Sequence, residues 1–119
     1  MVIAVRGAIT VENTRDSIMD GTRLMLREIL AENELDLEQI IAVTFTCTSD
    51  LDAVYPAVVA REIGLTSASL MCMQEMQVVG GMPKCVRVQV LANATVAQDN
   101  VRHVYLREAR TLRPDLFDM

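Results

Sequence analysis

The amino-acid sequence predicts a single α/β domain over residues 1–119, with a five-stranded mixed sheet and helices on one face. Three observations carry this expectation. Runs rich in β-branched residues alternate with amphipathic runs in the order β-α-β-α-β-β-β. The hydrophobic content of 51% over 119 residues supports one core and argues against disorder. No repeat, linker or low-complexity segment divides the chain.

Each element has a local reason. Val2 to Val11 alternates as a first strand, with Gly7 a point of close backbone approach or a bulge. Asn13 or Thr14 offers an N-cap for a helix running to Asn33. Its stripe is Ile18, Met25 and Ile29 with Leu26 and Leu30 beside it, and Arg15, Arg23, Arg27, Glu28 and Glu32 lie mostly off it. Gly21 inside that helix costs ~1 kcal/mol relative to alanine unless a close contact uses it. Asp36 and Gln39 can cap one short turn before Ile40–Cys47, whose β-branched density reads as a buried second strand. Tyr55-Pro56 opens a second helix, with proline at the tolerated first position and Gly64 as the stop. Ser67 to Met73 is a third strand, and Gly80-Gly81-Met82-Pro83 turns the chain into a fourth, Lys84 to Asn93. There Val86, Val88 and Val90 share one face, and Cys85, Arg87, Gln89 and Leu91 the other. Gln98-Asp99-Asn100 reads as a turn, His103 to Leu106 as a short fifth strand, and Pro114 interrupts the tail Leu112–Leu116. The sheet face without helices is half apolar, so copies of the chain are expected to cover it.

Composition removes several functions. Aromatic content of 3%, no tryptophan and a net charge of -5 exclude a nucleic-acid reader, which needs stacking platforms and a positive face. No apolar run reaches membrane-spanning length, and Arg6 cuts short the apolar start Met1–Val5, so a cytoplasmic protein with no membrane partner is expected. Cys47, Cys72 and Cys85 lack CxxC spacing and read as reduced thiols. His103, the sole histidine, cannot alone build a zinc site, and no Gly-x-Ser-x-Gly elbow accompanies it. The scattered methionines read as core filling. Lys84 is the only lysine. Codon bias and a need for planar recognition of carboxylates account for that equally well.

The chemistry concentrates in Met71-Cys72-Met73-Gln74-Glu75-Met76, Gly80-Gly81 and Lys84-Cys85-Val86-Arg87-Val88. Arg87, between two valines on a strand, must snorkel, pair with a carboxylate of the fold or meet an anionic ligand. Glu75 is either that partner or a ligand contact. Arg6 ends an apolar strand in the same manner, and Tyr105 sits within an alternating run. With Cys72 nearby, Arg6, Arg87, Tyr105 and Glu75 point to a pocket for a small carboxylate bearing one or two acid groups. No nucleophile–base pair accompanies them.

Taken in order, these strings resemble the monofunctional chorismate mutases of the trimeric, pseudo-α/β-barrel class. The resemblance rests on Val5–Glu12, Asp50–Ala57, Cys72–Met76, Gly80-Gly81, Lys84–Val88, Arg102–Leu106 and Leu112–Leu116, and spans nearly the whole chain. It implies the concerted, Claisen-type rearrangement of chorismate to prephenate toward phenylalanine and tyrosine, in a cytoplasmic homotrimer, with no cofactor or metal. Arg87 is then similar to the cation at the ether oxygen, and Glu75 to the carboxylate at the ring hydroxyl, with Cys72 a second contact there. Arg6 and Tyr105 are implied as ligands of the substrate carboxylate, and Met71, Met73 and Gln74 as further substrate contacts. Tyr55, Ala57 and Arg61 match positions contributed across the subunit interface, and Arg113 matches a tail residue that closes the site. The chain departs from the family pattern at Val58, Met71 and Tyr55, where lysine, threonine and phenylalanine can stand. A trimeric imine deaminase of similar shape and a non-catalytic metabolite-binding trimer are the competing readings. Glu75 with Arg87 favours an enzyme over the binder, because a pure binder of a dianion gains nothing from a nearby carboxylate, and a chorismate assay separates the mutase from the deaminase.

Overall fold

Val86, Val88, Val90 and Ala92 are all buried, whereas Arg87 and Leu91 between them are half-buried and Gln89 is exposed. That alternation divides the molecule into a helix-covered face and an open face. The computed structural model describes residues 1–117, with strands β1 (Val2–Thr10), β2 (Ile40–Cys47), β3 (Ser69–Gln74), β4 (Cys85–Asn93) and β5 (Val104–Leu106). Helices α1 (Arg15–Glu32) and α2 (Ala57–Glu62) precede β2 and β3, and short 3-10 turns cover Leu37–Gln39, Gln98–Asn100, Arg107–Leu112 and Pro114–Leu116. The sheet order is β3-β2-β4-β1-β5. Strand β4 runs antiparallel to both β1 and β2, while β5 is parallel to β1 and β3 to β2, so the sheet is mixed as expected.

The core lies between the sheet and the helices. Ile3, Val5 and Ile9 of β1, Val43 and Phe45 of β2 and the β4 valines pack against Ile18, Met25, Leu26 and Ile29 of α1 and Val59 and Ala60 of α2. Thr14 caps α1, its hydroxyl accepting from the Ser17 N–H at 3.1 Å. Gly7 and Gly21 are packing devices. A Cβ at Gly7 would lie 2.9 Å from Ile29 Cδ1 and 3.1 Å from Val88 Cγ1, and one at Gly21 would collide with Val11 Cγ1. Gly7 is thus a close approach, and the irregularity of the sheet lies instead in β2 between Ile40 and Ala42.

Several boundaries shift from those the sequence predicts. Strand β4 starts at Cys85 because Lys84 has φ 52°, held there by its N–H donating to both oxygens of Asp50 at 3.0 and 3.2 Å. Helix α2 starts at Ala57, with Pro56 one position earlier in the capping place, and β3 begins at Ser69. The turns from Arg107 onward were not foreseen. They fold Leu112 and Phe117 over a small second cluster of Ala8, Cys85, Tyr105 and Ala109 at one corner of the open face. Toward β3 that face presents exposed Met71 and Met73, the half-apolar character expected of it. Among the described residues no helix is long and apolar enough to cross a membrane.

Candidate active site

The open face carries its polar side chains in register. Thr46 of β2 faces Arg87 of β4, Arg87 faces Ala8 of β1, and Ala8 faces Tyr105 of β5, a row across four strands. Arg6 lies two residues from Ala8 on the same face, opposite Gln89. Glu75 follows β3, where its N–H donates to the Cys47 carbonyl at 2.9 Å and carries the side chain back over the sheet. Its Oε1 lies 3.0 Å from Arg87 Nε, with side-chain exposures of 23% and 29%. The approach is close but not aligned as a hydrogen bond, and the buried Nε–H has no other acceptor. Ala8 is fully buried in this row and Tyr105 is nearly so, both packed with Cys85 and Ala109 beneath Leu112 and Phe117 of the tail.

The tail adds a third guanidinium. Arg113 forks onto Asp115 through Nε and Nη2 at 3.0 and 2.9 Å, which holds the Asp115 carboxyl below the usual range. Its remaining neighbour is Tyr105. His103 stands beside this group, its Nδ1 accepting from the Arg6 N–H at 3.0 Å. Burial, then the charges of Arg113 and Arg6, push its pKa below the ordinary 6.5, so the neutral ring is the working form. Burial pushes the Cys85 thiol up against the pull of Arg87, and burial with neighbouring Cys72 and Cys85 pushes Cys47 up to about 12. Neither is a thiolate at neutral pH.

The remaining expected residues gather elsewhere. Cys72 pairs with Phe45 in the β2–β3 ladder and packs on the helix-covered side, so within one chain it stands on the opposite face from Arg87 and Glu75. The sequence reading set Cys72 beside Glu75; odd spacing along a strand instead sends the two to different faces. Cys72 lines a cavity of about 550 Å³ with Tyr55, Ala57, Arg61 and Met71. Met73, Gln74, Val58, Tyr55 and Cys72 line a neighbouring cavity of about 700 Å³. Arg87 and Glu75 line a separate cavity of about 380 Å³ with Asp50, Gly81 and Met82. The chain therefore carries two incomplete groups of site residues, divided by edge strand β3. Sequence reasoning missed Thr46 and Asp50; alternation in Val43-Thr44-Phe45-Thr46 could have placed Thr46 on the open face.

Three guanidiniums, a carboxylate and a phenol gather at one end of the open sheet face, a composition suited to a small anionic molecule on an α/β domain. Comparison with known proteins gives that class a family. The model of type I chorismate mutases matches residues 2–116, and the chain belongs to that family. It is 42% identical over 118 residues to chorismate mutase AroH of Bacillus subtilis (strain 168), covering 98% of this chain and 93% of that protein. It is 47% identical over 118 residues to chorismate mutase AroH of Thermus thermophilus, covering 98% and 97%. The solved chorismate mutase from Clostridium thermocellum superposes with a TM-score of 0.89 at 44% identity, covering 91% of this chain and 97% of that one.

Proposed function

We propose that this chain rearranges chorismate to prephenate at sites shared between protomers of a cytoplasmic homotrimer, on the route to phenylalanine and tyrosine. The observation that carries the assignment of roles is the Arg87–Glu75 pair at 3.0 Å on the open face. In the reaction one C–O bond breaks as one C–C bond forms, electrons move around a single ring of atoms, and no proton or electron is gained or lost. The protein's work is to hold the compact conformer and to meet the charge that separates.

Arg87 stands at the ether oxygen, where negative charge grows. Glu75 accepts from the ring hydroxyl and lies near the fragment that becomes positive. Arg6, Tyr105 and Arg113 hold the carboxylates at the β1–β5 corner. Tyr55, Ala57, Arg61, Met71 and Cys72, with Met73 and Gln74, close the pocket from a second protomer. Supporting this division are the two incomplete groups either side of β3, the exposed Met71 and Met73, and Tyr55 at 71% exposure.

Purified protein alone, followed by the loss of chorismate absorbance with and without chelator, tests the reading. Equal rates in both arms and a Cys72→Ser variant that keeps substantial activity are expected. No loss of absorbance would defeat the assignment, and an isolable thioether at Cys72 would defeat the concerted mechanism.

A further inference from the structure

Two polar atoms on the open face are buried without an aligned hydrogen-bond partner, and they belong to residues directly opposite each other. They are Thr46 Oγ1 on β2 and Arg87 Nε on β4. Facing residues of an antiparallel pair have Cβ atoms about 4.5–5.5 Å apart, within the span of a hydroxyl and a guanidinium stem. Leaving such a group buried and unsatisfied costs about 1–3 kcal/mol each, so a neighbouring pair of them is not neutral background. An apolar β-branched residue such as valine would fill the Thr46 position equally well and without that cost.

The ion pair explains why the two atoms make no hydrogen bond to each other. Arg87 Nε is drawn 3.0 Å toward Glu75 Oε1, off the direction a hydrogen bond needs. Once Glu75 turns to a ligand hydroxyl, the Nε–H loses this carboxylate at the moment the two terminal nitrogens must be aimed. Thr46 Oγ1 has two lone pairs and no competing donor to receive it. Resting on the chorismate mutase reading, we infer that Thr46 is a positioning residue. Its hydroxyl accepts the Arg87 Nε–H in the occupied site and fixes the plane of the guanidinium fork against the ether oxygen. Its effect passes through Arg87, so it belongs to the rate and not to substrate affinity.

Chorismate turnover by the parent protein, measured first, checks the reading on which this inference rests. The test then compares Thr46→Val and Thr46→Ser in full kinetic profiles and in thermal unfolding. Thr46→Val is expected to lower kcat by ~10-fold or more, the scale of one hydrogen bond to a charged group, with KM within about twofold. Its Tm should equal or exceed the parent's, because an unsatisfied hydroxyl is gone, and Thr46→Ser should restore most of the rate. Adding Thr46→Val to an Arg87→Lys background should cost nothing further, since lysine has no Nε–H to receive. Parent-like kcat in Thr46→Val, a rise in KM alone, or a fall of kcat together with Tm would overturn the inference. So would an equal additional loss in the Arg87→Lys background. A parent protein inactive on chorismate would instead defeat the underlying reading.

Discussion

Replacing Arg87 with citrulline keeps the length, the planar end and the Nε–H of the side chain while removing its charge and one terminal NH2 group, whose place a carbonyl oxygen takes. The side chain is 29% exposed, so an effective dielectric of ~20 is appropriate, and a full unit of charge at ~4 Å is then worth ~4 kcal/mol. The ether oxygen acquires only part of a charge in the transition state, and half of that figure, ~2 kcal/mol, is the electrostatic loss. A preorganised donor removed from a developing oxyanion adds to it, on a scale of about 2.7–4 kcal/mol when measured alone. At 1.36 kcal/mol per decade, kcat should fall by at least ~10²-fold. KM should change far less if Arg6, Tyr105 and Arg113 hold the carboxylates as proposed, and no ion pair to Glu75 has to be parted. Initial rates of chorismate disappearance across a substrate range give both constants. Lysine at the same position should recover only part of the rate, since a point charge on a flexible stem does not reproduce the fork. A folded citrulline protein with kcat within a few-fold of the parent would make Arg87 a structural partner of Glu75 and nothing more.

Mixing inactive Arg61→Ala protomers with inactive Arg87→Ala protomers in equal amounts should return activity through about a quarter of the sites, those drawing each intact half from a different chain. Silence after proven subunit exchange would refute the shared pocket. Truncation after Arg110 removes Arg113 and the Leu112 and Phe117 cover over Tyr105, and should raise KM by ~10-fold while lowering kcat less. A fall in kcat alone would put the tail in the chemistry. His103, with its folded pKa below the ordinary 6.5, contributes stability that is present above that value and is lost as pH falls through the folded pKa, because the unfolded chain binds the proton first. His103→Asn keeps an acceptor for the Arg6 N–H, so its urea midpoint should fall less than the parent's below pH ~6.5; parallel curves would remove His103 from the pH response.

The strands and α1 were readable because their signals are periodic and physical: β-branched runs at Ile40–Cys47 and Cys85–Asn93, and the Ile18, Met25, Ile29 stripe. What escaped depends on contacts between distant residues. Lys84 adopts φ 52° because Asp50 holds its N–H, and Arg107 adopts φ 56° with its guanidinium on the Thr10 carbonyl at 3.0 Å. No local pattern announces either. In the site, the burial argument found the Arg87–Glu75 pair, because a cation between valines must have a partner. Within one chain strand alternation sends Cys72 and Glu75 to different faces, which nearness in sequence does not reveal. Thr46 passed as an ordinary strand former, since a hydroxyl without a partner is visible only once the opposite strand is in place.

The row Thr46, Arg87, Ala8, Tyr105 exists only in one strand register, and the same register seats Val86, Val88 and Val90 under α1. Sliding β4 by a single residue would drive Arg87 and Gln89 into the helix-covered core and turn the valines outward, a arrangement no compact state could tolerate. A misassembled sheet with this row broken is therefore also a sheet without a core. Folding proofreads this row, and chains that reach the native state carry the four side chains in line without any separate step to align them.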